Sequence, residues 1–140
     1  MKENYPKVGV GVMVIKEGKV LLGLRGTCQI GAGQYAWPGG LLEQGESIIE
    51  CAKREVLEET GIIIKNVDFL CVINIKEYLP NHFLNIGMVA EWESGNADTL
   101  ESHKTLSWNW YSMDTLPRPL FEGIQYYIEA YKNKRIFWDK

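Results

Sequence analysis

The chain has 140 residues, of which 46% are hydrophobic and 24% charged, and a formal net charge of −3. That length and composition suit one globular domain over residues 1–140, with a core of its own, and exclude a disordered chain. No apolar run approaches the roughly 20 residues of a membrane-spanning helix, Met1-Lys2-Glu3-Asn4-Tyr5-Pro6 lacks the apolar core of a signal peptide, and the negative balance argues against a nucleic-acid polymer as partner.

Residues 8–15 form an extended apolar run that predicts a strand. Lys16-Glu17-Gly18-Lys19 supplies turn chemistry, and residues 20–24 return as a second strand. Gly9 and Gly11 suit a strand where a ligand or another backbone comes close. Residues 25–34, with Gly26, Gly31 and Gly33, read as a loop, and residues 35–37 as a short strand that Pro38 ends. A helix is predicted over residues 47–60, stopped by Gly61, with Ile49, Ala52 and Val56 spaced to face the core. Strands follow over residues 67–75 and 83–90, joined through residues 79–82. Residues 93–104 are polar and loop-like, residues 106–111 a further strand, and residues 121–131 a second, amphipathic helix. Mixed strands with two helices predict an α/β protein whose sheet is sandwiched between helices. Cys28, Cys51 and Cys71 are odd in number and lack Cys-x-x-Cys spacing, so reduced thiols in a cytoplasmic protein are expected.

The first helix carries the chemistry. Glu55 stands three and four residues before Glu58 and Glu59, so the three carboxylates are expected on one side of it. Like charges at that spacing destabilise a helix by ~0.2–0.5 kcal/mol per pair. They also lie in the C-terminal half, where the helix dipole disfavours negative charge. Lys53 and Arg54 offer a bland resolution by pairing with neighbouring glutamates on a solvated face. A hard cation offers another, because Mg²⁺ takes carboxylate and water oxygens together with substrate phosphates.

The longer pattern favours the cation. Gly40, five residues, Glu46, seven residues, Arg54-Glu55-Val56, Leu57, Glu58-Glu59, Thr60 and Gly61-Ile62 reproduce without a gap the signature of the Nudix hydrolases, which the chain resembles. Weaker likenesses lie in Val8-Gly9-Val10-Gly11-Val12, Pro38-Gly39-Gly40 and Trp108-Asn109-Trp110-Tyr111, and are nearest to small members that hydrolyse oxidised or other nucleoside triphosphates. The resemblance implies a Nudix α/β/α sandwich, a mixed sheet with a loop–helix–loop catalytic box, and Mg²⁺ or Mn²⁺ as cofactor. It implies that Glu55 and Glu59 bind metal, that Glu58 joins them or binds a second ion, and that the Gly39 carbonyl contributes. Arg54 would orient a catalytic glutamate, Glu46 would hold the loop or position water, and Glu55 or Glu58 would accept the proton. Gly40, where the box begins, and Arg25, at the end of the second strand, are the candidates for substrate binding; for Arg25 an ordinary surface position is the alternative.

The implied reaction splits a nucleoside triphosphate into nucleoside monophosphate and pyrophosphate. Other substrates in view are a nucleotide sugar, a dinucleoside polyphosphate and an isoprenoid diphosphate, and a catalytically silent ligand-sensing module is the alternative of a different class. The resemblance also implies a homodimer, while the charge balance and the lack of a long apolar run speak against a nucleic-acid polymer or a membrane as partner. Trp37, Trp108 and Trp110 are read as core residues first and as base-stacking groups second, and His82 and His103 as surface residues. Two departures stand out. Leu106 occupies a position where the similar proteins carry a glutamate, leaving Glu101 and His103 as the nearest polar groups, and Glu122 stands where they tend to carry an aromatic residue. Base preference is therefore not transferred.

Overall fold

A computed structural model describes residues 4–140; Met1, Lys2 and Glu3, included in the signal-peptide reading above, lie outside them. The order along the chain is β1 (Lys7–Lys16), β2 (Lys19–Arg25), β3 (Tyr35–Ala36), β4 (Gly39–Leu41), α1 (Ile48–Thr60), β5 (Ile63–Ile75), β6 (Phe83–Ser94), β7 (Thr105–Ser112), α2 (Ile124–Asn133) and β8 (Phe137–Asp139). All strands join one mixed sheet, in the order β3-β2-β1-β6-β5-β8, with β4 added to β1 and β7 to β2. No helix among the described residues is long and apolar enough to cross a membrane.

β1 is the spine. Along one edge it runs parallel to β6, from Lys7 opposite Phe83 to Ile15 opposite Glu91. Its other edge is shared. β2 pairs with it only at Ile15 and Lys16, through a two-residue hairpin whose Glu17 and Gly18 both take positive φ, as a type I′ turn requires. β2 then pairs with β7, and β4 takes the edge it leaves, opposite Gly9–Gly11.

Apolar side chains leave both faces of β1, the pattern of a strand covered on both sides. Val10, Val12 and Val14 pack with Leu21, Met88 and Ala90 against Cys51, Ala52 and Val56 of α1. Met13, Val20, Leu22 and Ile73 pack on the opposite face with Tyr127, Ile128 and Ala130 of α2. The two cores make the α/β/α sandwich.

Several boundaries differ from expectation for local reasons. Ser47 caps α1, its hydroxyl accepting the Glu50 N–H at 3.0 Å, rather than entering the helix. Ile49 is 46% exposed: the first turn, Ile48 to Glu50, is exposed throughout and packing starts at Cys51. β4 comes from a Gly-Gly pair that propensity disfavours as strand, because only a glycine at position 39 fits against the Val10 carbonyl and Gly11. β5 begins four residues before the expected Val67, β6 runs on to Ser94, and β8 completes an edge at Val72–Asn74. α2 starts at Ile124 instead of Phe121, since Gly123 at φ 99° interrupts the helical path and leaves Phe121 outside it. Trp37 and Trp108 are core residues, 6% and 7% exposed. His82 is half-buried, its ring Nε2 hydrogen-bonded to the Asn74 side-chain amide oxygen, and His103 is exposed.

Gly87 of β6 lies under the Tyr127 ring. A methyl group there would stand 2.6 Å from the Cys71 sulfur and 3.1 Å from the Tyr127 ring. Gly87→Ala is expected to lower stability by about 1–3 kcal/mol through overpacking, read as a lower urea midpoint with an unchanged m-value.

Candidate active site in a cavity spanning both layers

Where β2 has left β1, a cavity of about 650 Å³ opens. Its wall takes Gly39 from just before the box, Gly40, Glu43, Glu55 and Glu59 from the box, Arg25 from β2, Lys104 from the loop before β7, and Phe83, Asn85, Phe121, Glu122 and Tyr127 from the α2 side. The volume is that of a small-molecule site.

Arg54 organises the box. Its fork takes Glu46 with two bonds, Nε to Oε2 at 2.6 Å and Nη2 to Oε1 at 2.9 Å. Nη1 donates to Glu55 Oε1 at 2.7 Å and reaches Glu58 Oε2 at 3.4 Å, with Glu43 at 3.6 Å. Glu46 Oε1 also accepts the Glu43 N–H at 3.1 Å, tying the loop to the helix. The planar guanidinium suits this bidentate task in a way a lysine would not. Arg54 beside it lowers the Glu46 carboxyl to about 2, so Glu46 stays ionised and holds the loop.

The helix carboxylates do not act as one cluster. Glu55 and Glu59, four residues apart, line the cavity, whereas the Glu58 side chain is 51% exposed and lies outside its wall. Gly40 makes room for Glu55: a methyl group on it would overlap the Glu55 carboxylate. Glu59 is 8% exposed and accepts the Gly39 N–H at 2.8 Å. Burial raises its carboxyl to about 8, against that hydrogen bond, with Glu55 and Glu101 adding repulsion. Burial likewise raises Glu55, outweighing Arg54.

These groups fit a hard divalent cation. Glu55 and Glu59 are poorly compensated as anions, and a bound cation would reverse the penalty. Among the described residues, no three His, Cys, Asp or Glu side chains are gathered into a ready cage. Mg²⁺ is commonly bound through one or two carboxylates with substrate phosphates and water, so the pair meets its chemistry.

Arg25 is not a free surface residue. Its Nε donates to the Ile30 carbonyl at 2.6 Å, its guanidinium lies 4.5 Å from the Phe121 ring centre, and burial lowers its pKa. Leu106 is 54% exposed, His103 is exposed, and neither lines the cavity. Glu101 instead stands 3.7 Å from Lys104, which does line it and faces the carboxylates. Lys104, Asn85, Tyr127 and Phe83 escaped the sequence reading. Asn85, an amide inside the apolar run Phe83-Leu84-Asn85-Ile86, was the detectable signal.

A sandwich of this topology with an arginine-braced glutamate helix defines a known class, and the NUDIX domain model matches residues 5–131. The chain belongs to the Nudix hydrolase family. It is 30% identical over 115 residues to the NAD-capped RNA hydrolase NudC of Chromobacterium violaceum, a match covering 81% of this chain and 41% of that protein. An ADP-ribose pyrophosphatase of Methanocaldococcus jannaschii is 29% identical over 84% of this chain and 69% of its own length. Among solved structures, a MutT NUDIX hydrolase from Burkholderia pseudomallei superposes with a TM-score of 0.84 at 28% identity, covering 90% of this chain and 98% of that one. The chain spans less than half the length of the NudC relatives it matches.

The raised Glu59 carboxyl has a consequence for stability. Between its ordinary value of 4.5 and about 8, the folded protein holds a proton that the unfolded chain has released. Metal-free protein should therefore lose stability as pH rises from about 5 to about 8. Glu59→Gln should flatten that slope in urea titrations, and millimolar Mg²⁺ should offset it in the wild type.

Proposed function

We propose that this chain hydrolyses a nucleoside triphosphate, with Mg²⁺ as the cofactor and Mn²⁺ as a substitute, to a nucleoside monophosphate and pyrophosphate. The observation that carries the reading is one cavity walled both by Glu55 and Glu59 and by Phe83, Phe121 and Asn85. Carboxylates suit a metal-bound phosphate chain, and aromatic rings with an amide suit a base.

Each residue has a part. Glu55 and Glu59 would hold the ion, with the Gly39 carbonyl as a further oxygen and Glu58, farther out, available to a second ion. When bound, the divalent ion neutralises phosphate charge and lowers the pKa of water. Arg25 and Lys104 line the same wall and meet phosphate oxygens. Gly40 lends its bare Cα to the packing of Glu55. Arg54 aims Glu55 by a charge-assisted hydrogen bond and so orients the carboxylate that accepts the proton. Water attacks phosphorus, its proton passes to Glu55, and the linkage between the first and second phosphates breaks.

A second reading takes a nucleoside diphosphate joined to another moiety, and is favoured by the likeness to an ADP-ribose pyrophosphatase. Release of pyrophosphate from triphosphates, or of a monophosphate and a phosphorylated sugar from ADP-ribose, separates the two. A silent module would turn over neither. Glu59→Gln is expected to lower kcat/KM by more than about 100-fold, because even residues that merely orient a metal ligand are worth about 10- to 100-fold. Circular dichroism should be unchanged. Wild-type rates in that variant, or turnover in excess chelator, would sink the metal role.

A further inference from the structure

Asn85 and Tyr127 form a pair that the phosphate chemistry does not use. Asn85 lies on β6 opposite Gly9 of β1, and both line the cavity. The Tyr127 hydroxyl, on α2, donates to Asn85 Oδ1. Its ring is 2% exposed and packed over Gly11 and Gly87, where a side chain of any size would displace it. An asparagine amide has one accepting and one donating end, and only its hydrogen bonds decide which end faces a ligand. Here Tyr127 takes one lone pair of the oxygen and fixes the accepting end toward α2. The donating Nδ2 lies beside Gly9, 3.3 Å from where a Cβ on that residue would stand, so glycine keeps the space around it open.

We infer that Asn85 is a specificity residue, oriented by Tyr127 so that it turns its N–H donors to the nucleobase and selects bases presenting a carbonyl over those presenting an amino group. Tyr127 is a positioning residue that acts through Asn85. Burial pushes the Tyr127 phenol well above its ordinary value, so it stays protonated and stays a donor across the working pH range. A base with an amino group on the facing edge would set donor against donor, and the amide could turn over only by breaking its half-buried hydrogen bond to Tyr127. The inference rests on the nucleotide reading above and names the base class it takes.

The test uses two pairs of triphosphates that differ as keto and amino partners, inosine against adenosine and uridine against cytidine. Calorimetric dissociation constants are measured with Mg²⁺ alongside turnover. Wild-type protein should favour the keto member of each pair by about fivefold or more, the worth of about one net hydrogen bond. Asn85→Asp keeps one oxygen for Tyr127 and turns the second toward the ligand as an acceptor, so the preference should reverse. Tyr127→Phe releases the amide, and the ratio should fall toward one while the fold persists, since the substitution only removes an oxygen. Equal affinities within each wild-type pair would overturn the inference, as would Asn85→Asp weakening both members alike without changing the ratio. Keto preference without turnover would leave the inference standing and remove the catalytic reading. Turnover without keto preference would do the opposite, and no binding at all would remove both.

Discussion

Burying Glu55 and Glu59 in one cavity wall carries a desolvation penalty that Arg54 and the Gly39 amide only partly offset, and much of the surrounding structure serves that arrangement. Arg54 cannot relieve both, because its fork is committed to Glu46 and only one further nitrogen faces Glu55. Lys104 faces the pair but stands beside Glu101. With both carboxylates ionised, the site carries residual negative field inside a protein whose net charge is itself negative. A polyphosphate would be repelled from such a wall unless a cation came with it.

The same economy of space governs the glycines. Gly39 lets β4 press against β1, Gly40 lets Glu55 lie against β4, and Gly11 and Gly87 let Tyr127 approach the sheet. Each is fixed by what it must not carry. In this way the carboxylate-bearing and aromatic walls are positioned from opposite layers, α1 and α2, yet referred to one strand.

Much of this was legible in the chain. The spacing from Gly40 to Ile62 is local, and a helix converts spacing directly into geometry, so the box and its arginine could be read. The two-sided apolar run at β1 announced a covered sheet. What could not be read depends on contacts distant in sequence. Asn85 meets Tyr127 across 42 residues, and Lys104 reaches the carboxylates from a loop that reads as plain polar surface. Helical spacing put Glu55, Glu58 and Glu59 on one side, but it cannot say where a cavity ends. Glu58 falls outside its wall because the opening faces β4 and β1 rather than the outer flank of α1.

The early departure of β2 from β1 has a broader mechanical meaning. A continuous sheet would have sealed the two helical layers from each other, each with a private interior. Here the ladder is interrupted, and a molecule seated in the gap becomes a shared neighbour of both. Its affinity is then thermodynamically linked to how firmly the halves cohere, so that occupancy at the centre acts as a rivet for the whole domain.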